Sequence, residues 1–388
     1  MAVEMRVPVE EDLDALFRLD GRVFAEPWKP EDRARARTVM DLDRFRIAVD
    51  REAVVGIAGS YGLEMTVPGG AALPTGGVTF VAVALTHRRQ GLLTKLMDEV
   101  HRDIDRRGEP LAALTASEGG IYERFGYGVA TRRRITVLDR RRAQVKDEYR
   151  SPPGAVRHAE WDDPALPGEL AARWERVRRL RAGEITRSLP WLQLQIAERT
   201  ADATWLLHDD GFASWKVTSK WNDGHPAHEV EVYDLAAATP DAHAALWDAV
   251  LSVDLAGPIR CRVLALDDPL PYLLTDPRAL RTVELNDMVW CLPRDVPTCF
   301  AARRYWTDDE LVLEADRGRW SIGGGGCARA RRKPDLVAEI SALGPLLMGV
   351  PPTTLAAGRR LTARTPEVLR RADALFTAHP SPHGMSGF

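Results

Sequence analysis

The chain has 388 residues, which at ~100–200 residues per domain allows two or three domains. Apolar residues make up 45 %, enough for packed cores, and charged residues 28 % with both signs interspersed. A formal net charge of −3 argues against a general nucleic-acid binder, and the basic runs Arg132-Arg133-Arg134 and Arg329 to Lys333 read as solvated faces.

The first segment alternates helical and extended patterns. Glu10 to Phe24 carries Leu13, Leu16, Phe17 and Leu19 at helical spacing. Arg46 to Tyr61 reads as two strands turning at Asp50-Arg51-Glu52. Gly77 to Ala84 is a strand rich in Val and Phe. From Gly91 to Arg107 an amphipathic helix sets Leu92, Leu93, Leu96, Met97, Val100 and Ile104 on one face, and Gly108 ends it. Leu111 to Thr115 and Ala130 to Leu138 are further strands. Ser151-Pro152-Pro153-Gly154 can continue neither a helix nor a central strand and marks a boundary.

The second segment opens with helices around Glu169 to Leu180 and Leu192 to Glu198. Strands follow at Thr204 to His208, Gly211 to Thr218 and His228 to Leu235, with Asp210-Gly211 as a hairpin signal. A helix over Asp241 to Val253 starts at Thr239-Pro240-Asp241. Strands at Ile259 to Leu266 and Glu284 to Leu292 close the segment. The third segment, from Arg294, has strands at Glu310 to Ala315 and Gly318 to Ile322 joined by a turn at Asp316-Arg317. Gly323 to Gly326 lacks the Lys-Ser/Thr and helix of a phosphate loop and reads as a flexible turn. Helices follow around Ile340 to Met348, Thr353 to Gly358 and Pro366 to Phe376. The Gly/Pro-rich tail, taken alone, reads as frayed.

Cys261, Cys291, Cys299 and Cys327 form no CxxC pair and sit near no paired histidine. That argues against a zinc site and a disulfide scaffold, and leaves buried free thiols in a reducing compartment. Met1-Ala2-Val3-Glu4 lacks a basic segment followed by an apolar core, and no apolar run approaches the ~18–20 residues that span a bilayer. A cytoplasmic protein is expected, without membrane, nucleic acid or metal among its partners.

The most informative stretch runs from Phe80-Val81-Ala82-Val83 through Thr86-His87-Arg88-Arg89-Gln90-Gly91 into Leu92-Leu93-Thr94. A strand, a basic turn and a helix N-terminus come in succession. Free N–H groups and the positive dipole end at such a terminus favour a pyrophosphate, and glycine lets it approach the backbone. The edge of Val81 to Val83 can pair with an extended, amide-bearing chain such as pantetheine. A second block, Ala116-Ser117-Glu118-Gly119-Gly120-Ile121-Tyr122, ends in a tyrosine after a strand, ahead of Phe125-Gly126-Tyr127. GNAT acetyltransferases, which this block resembles, commonly place a tyrosine here near the thioester sulfur, where a phenol of pKa ~10 can protonate the departing thiolate. Tyr127 competes for that role, although it and Phe125 look more like packing residues.

Together these blocks resemble the acetyl-CoA signature of GNAT acetyltransferases, whose turn reads Gln/Arg-x-x-Gly-x-Gly/Ala. Arg88 and Gly91 match the first two anchors, and Leu93 departs at the third. Over the whole chain the sequence is similar to the Eis (enhanced intracellular survival) family. Asp268 to Asp276, Ser341-Ala342-Leu343-Gly344, Thr353 to Ala357 and the final Phe388 carry that resemblance.

The resemblance implies an α+β protein of tandem GNAT domains, with mixed sheets flanked by helices, plus a C-terminal sterol-carrier-protein-like α+β domain. The expected boundaries are 1–150 for a catalytic domain, 151–293 for a degenerate second domain and 294–388 for the third. No Arg-x-x-Gly turn follows the strand ending near Leu235, and Pro240 removes an N–H where a phosphate would need one. The resemblance further implies acetyl-CoA as co-substrate, held by Val81, Ala82, Val83, Arg88, Arg89, Gln90, Gly91, Leu92, Leu93, Thr94, Ser117 and Glu118. Tyr122 would be the general acid and the terminal carboxylate of Phe388 the general base. Glu26 and Trp28 would line the acceptor pocket. The family's tail is acidic before its last residue; here Ser386 and Gly387 stand there, which weakens the case for a highly cationic acceptor. The expected activity is N-acetylation of an aminoglycoside-like, polyamine or lysine-type primary amine by a homo-oligomer, a hexamer in the family. Transfer of longer acyl groups and a non-catalytic protein binding acyl-CoA or an apolar ligand are the alternatives.

Overall fold

The structure, a computed structural model, describes residues 3–315 and 318–388; the turn expected at Asp316-Arg317 lies outside the described residues. The chain forms two compact units. One holds the residues up to Ala130, Val289–Ala378 and Ser386–Phe388; the other holds Thr131–Met288 and His379–Met385.

The first unit begins with strand β1 (Glu4–Arg6) and helix α1 (Leu13–Phe24), whose Leu16, Phe17 and Leu19 are buried. Helix α2 (Pro30–Arg37) follows, with Pro30 at a position that needs no N–H. Sequence periodicity misses it because only Ala36 of its residues is buried. Strands β2 (Phe45–Asp50), β3 (Ala53–Thr66) and β4 (Ala72–Val83) form an antiparallel meander, longer than the alternation predicts. Helix α3 (Leu92–Arg106) lays Leu92, Leu96, Met97, Val100 and Ile104 against this sheet, as its pattern predicts. Strand β5 (Leu111–Leu114) then pairs parallel to β4, and β6 (Gly128–Val129) comes last in this stretch.

The sheet is completed from far along the chain. Its order is β1-β2-β3-β4-β5, then the strand Trp290–Pro293, then β6. The Glu284 to Leu292 stretch predicted as one strand is therefore two. Leu280–Asp287 belongs to the second unit's sheet and Trp290–Pro293 to the first. Leu280–Asp287 is exposed along most of its length, whereas Trp290–Pro293 is wholly buried. The sequence over Glu284 to Leu292 holds no Gly or Pro to mark a break, so pattern alone does not separate two such strands.

The rest of the first unit is a five-stranded sheet ordered 326–329, 318–323, 310–315, 336–338, 361–363. Gly323 and Gly326 end two of these strands, so the predicted glycine turn is a hairpin tip. Helices Ile340–Met348, Pro352–Ala357 and Pro366–Phe376 accompany the sheet. Buried Arg303 donates to the carbonyls of Leu346, Leu347, Phe376 and Thr377, satisfying two helix ends at once.

The second unit is built on a seven-stranded sheet ordered 280–287, 132–139, 256–264, 228–237, 211–218, 204–208, 157–159. Arg132–Asp139, read from sequence as the last strand of the first segment, pairs here with the strands 256–264 and 280–287. The hairpin before Gly211 forms as predicted. Helices Leu166–Arg178, Leu189–Arg199 and Pro240–Leu251 flank this sheet, and Trp174, Trp205 and Trp247 are buried in the unit. Cys261, Cys291 and Cys299 are buried free thiols as expected; Cys327 is only partly buried.

Candidate active site

Strands β4 and β5 run parallel and are hydrogen-bonded only over Thr75–Gly77 and Leu111–Ala113. Beyond Gly77, β4 continues to Val83 paired with β3, while β5 stops at Leu114. The two strands part there, and beyond Gly77 that edge of β4 carries no strand partner among the described residues. Val81 and Val83 are half-exposed on this stretch and Ala82 is buried.

The β3–β4 register slips at the same place. Ile57 faces Ala82 and Gly59 faces Thr79, so Phe80 and Val81 lie opposite Ala58 alone. This is a β-bulge, and Phe80 takes the left-handed conformation with φ 52°. An aromatic residue adopts that conformation at a cost, and such strain concentrates at functional sites. Nothing in local pattern announces it.

The turn after β4 carries the basic residues. His87 Nε2 lies 3.3 Å from Asp50 Oδ2 and its Nδ1 2.8 Å from Thr86 Oγ1, which ties the turn to β2. Arg88, Arg89, Gln90, Gly91 and Thr94 are exposed, Leu93 is half-buried and Leu92 is buried. Arg89 has φ 63° and Gly91, the N-cap of α3, has φ 77°. A Cβ on Gly91 would meet nothing within 4 Å, and the helix start has no side-chain cap. A 15-residue helix thus starts without a side-chain cap, at an exposed glycine close in sequence to two exposed arginines. These residues fit a pyrophosphate.

Ser117 and Glu118 are exposed on the loop after β5, and Tyr122 follows, 6 % exposed. Its ring meets Tyr127 edge-on at 6.2 Å. Burial, with Glu118 nearby, pushes the Tyr122 phenol upward, so it is held in the protonated form a general acid requires. Tyr127 is fully buried and lies 2.9 Å from His101 Nε2. Burial, assisted by Arg294, pushes His101 down to about 4.

On α1, Asp20 faces inward beside Leu16 and Leu19 and accepts a 2.8 Å hydrogen bond from Trp28 Nε1. Burial raises the Asp20 carboxyl even though that bond opposes it, and Glu26 adds to the rise. Trp28 stacks on Phe80 (5.8 Å, 16°), with Phe17 5.0 Å from Trp28 and Phe45 5.7 Å from Phe80. Glu26 is exposed. Sequence reasoning named Trp28 and Glu26 but missed Asp20, Phe17 and Phe80. A carboxylate on the apolar stripe of α1 was the available signal for Asp20.

Phe388 is ordered within the first unit, so the frayed reading of the tail gives way. Thr115 Oγ1 donates to a carboxylate oxygen of Phe388 at 3.1 Å. Upstream, the second unit holds residues 379–385. His383 N donates to Ala182 O (2.8 Å), His383 Nε2 lies 2.9 Å from Val263 O, and Met385 N donates to Glu184 Oε2 (3.1 Å).

A free strand edge, a left-handed bulge and an uncapped helix terminus in succession are the elements of a GNAT-fold acyltransferase. Models of the acetyltransferase (GNAT) domain match residues 4–130 and 183–292, and a model of the sterol carrier protein domain matches 296–384. The N-acetyltransferase Eis of Mycobacterium tuberculosis is 38 % identical, covering 97 % of this chain and 98 % of that protein. An uncharacterized N-acetyltransferase of Streptomyces avermitilis is 33 % identical, with both chains covered fully. The crystal structure of Eis1 from Mycobacterium abscessus superposes with a TM-score of 0.89 at 31 % identity, again covering 100 % of both chains. The chain belongs to the Eis family of N-acetyltransferases: two GNAT domains followed by a sterol-carrier-like domain. Among the described residues no helix is long and apolar enough to cross a membrane.

Proposed function

We propose that the protein acetylates a primary amine directly from acetyl-CoA, with Tyr122 as general acid and the Phe388 carboxylate as general base. What carries this reading is the first unit's bare helix terminus at Gly91, reached from a strand whose edge is free and whose bulge turns Phe80 toward Trp28. Val81 to Val83 hold the pantetheine arm, and Arg88 to Thr94 hold the pyrophosphate. Ser117 and Glu118 border the co-substrate. Trp28 and Phe80 wall the acceptor's side, with Glu26 supplying negative charge for an ammonium.

The acceptor arrives as an ammonium and must lose a proton before its lone pair attacks. The Phe388 carboxylate takes that proton. The nitrogen then bonds to the thioester carbon, the C–S bond breaks, and Tyr122 supplies the proton that the thiolate takes up. The nitrogen sheds a second proton as the amide forms, which restores the phenol. The net products are an N-acetyl amine, free CoA thiol and one proton released to water. The protein contributes positioning, a base and an acid.

With Asp20 buried and Ser386-Gly387 uncharged, the pocket suits a primary amine of modest charge, a lysine-type or polyamine end before a polycationic aminoglycoside. We further propose a cytoplasmic homo-oligomer, measurable by light scattering of the purified chain.

The test is colorimetric thiol release from acetyl-CoA across lysine peptides, polyamines and aminoglycosides. Release with any amine supports acetyl transfer to an amine and ranks the acceptors. Silence across the panel, with acetyl-CoA binding demonstrated separately, favours the non-catalytic acyl-CoA-binding reading instead.

A further inference from the structure

The place where β4 and β5 part is filled by the last residue of the chain. Gly77 is the final β4 residue paired with β5, and Thr115 comes directly after the end of β5. A Cβ built on Gly77 would lie 2.9 and 3.0 Å from two ring carbons of Phe388 and 2.5 Å from Leu63 Cδ1. Glycine is required there for room, since the ring occupies the volume a side chain would take. Across the gap, the Thr115 hydroxyl donates to the carboxylate at 3.1 Å.

A chain terminus held by its ring alone can still rotate its carboxylate, and termini ordinarily fray. A hydrogen bond to one oxygen fixes that rotation. It leaves acceptor capacity on the other oxygen, because a carboxylate offers about four lone-pair sites. We infer that Thr115 is a positioning residue: with Phe388 seated against Gly77, its hydroxyl orients the terminal carboxylate to receive the acceptor's proton. This inference rests on the proposed base. Thr115 itself exchanges no proton in the reaction and acts only through Phe388.

The test uses the full chain, its intact mass ending at Phe388, with Thr115→Val, Thr115→Ser and a version extended by two glycines after Phe388. Thr115→Val keeps the shape and removes the hydroxyl. It is expected to lower kcat roughly 10- to 100-fold, the range for losing a hydrogen bond to a charged group. KM for acetyl-CoA and the melting temperature should stay near the parent values. The acid limb of the kcat/KM profile should move to higher pH, because the bond favours the ionised carboxylate. Thr115→Ser should restore both kcat and the profile, a rescue that a purely structural role would not produce. Parental kcat and pH profile in Thr115→Val overturn the inference, as does an equal loss in Thr115→Ser. The extended chain separates the two levels: full activity there removes the terminal base itself. Loss of activity there, with Thr115→Val at parental activity, removes only the role of Thr115.

Discussion

The two GNAT-type units build the same passage, strand into helix, in opposite ways. In the first, eight residues separate β4 from α3, two of them left-handed, and the helix begins at a glycine with no side-chain cap. In the second, the strand His228–Ala237 is followed by only Ala238 and Thr239 before the helix Pro240–Leu251. There the Thr239 hydroxyl accepts from Ala242 N at 3.2 Å, and Pro240 contributes no N–H. A helix that satisfies its own terminus gains stability and loses its affinity for anions; one left bare does the reverse. The contrast supports reading the second unit as structural.

Substitutions can sharpen that contrast or break it. The largest effect belongs to the chemistry: Tyr122→Phe should lower kcat at least ~100-fold while leaving KM for acetyl-CoA nearly intact. Unchanged turnover in a stopped thiol-release assay would remove Tyr122 from the mechanism. Next comes acid stability. His101 in the first unit is pushed to about 4 from 6.5, so the stability it contributes is full above pH 6.5 and is lost as pH falls toward 4. That loss amounts to at most about 3 kcal/mol. His383 in the second unit behaves alike, again reaching about 4 through burial and Arg181. Beside the same tail segment, however, buried Glu184 is raised to about 7 from 4.5. Its contribution is full below pH 4.5 and is lost as pH rises through 7, which offsets His383. Hydrogen exchange corrected for intrinsic rates should therefore show α3 loosening between pH 6.5 and 4 before residues 379–385 do. Simultaneous loosening would contradict this assignment.

Smaller effects test the helix starts directly. Gly91→Asp places a carboxylate at the proposed pyrophosphate position and should raise KM for acetyl-CoA about 10- to 100-fold, because it caps the bare N–H groups with the wrong charge. An unaltered KM would place the co-substrate elsewhere. Thr239→Ala, the matching change in the second unit, should cost about 1 kcal/mol of stability in a denaturant titration. It should leave both kinetic constants alone; a shift in KM would mean the second unit takes part in binding.

Much of this was readable from local pattern. Helix α3 declared itself through a one-sided apolar stripe, and Gly91 and the arginines through their place ahead of it, whereas the choice of Tyr122 over Tyr127 rests on the GNAT resemblance and not on local pattern. Other parts depend on partners distant in sequence. Trp290–Pro293 is a short, wholly buried run that looks the same in any sheet, and only its pairing with β5 and β6 places it. Arg132–Asp139 carries no mark of its partners in its own residues, so its sheet was not legible either. Phe80 reads as an ordinary strand residue because its left-handed φ is imposed by the β3–β4 slip. The Thr115–Phe388 bond joins residues 273 positions apart, a separation no local pattern reports.

The strand Trp290–Pro293 also sets a schedule. Until it leaves the ribosome, β5 has no neighbour on its outer side and β6 has no place in the sheet, since β6 joins only through that strand. The nascent residues up to Ala130 therefore carry the groups proposed to hold the co-substrate on a sheet still open at one edge. Synthesis must pass residue 293 before that edge is closed, so this enzyme's N-terminal half ripens late, when most of the polypeptide has already been made.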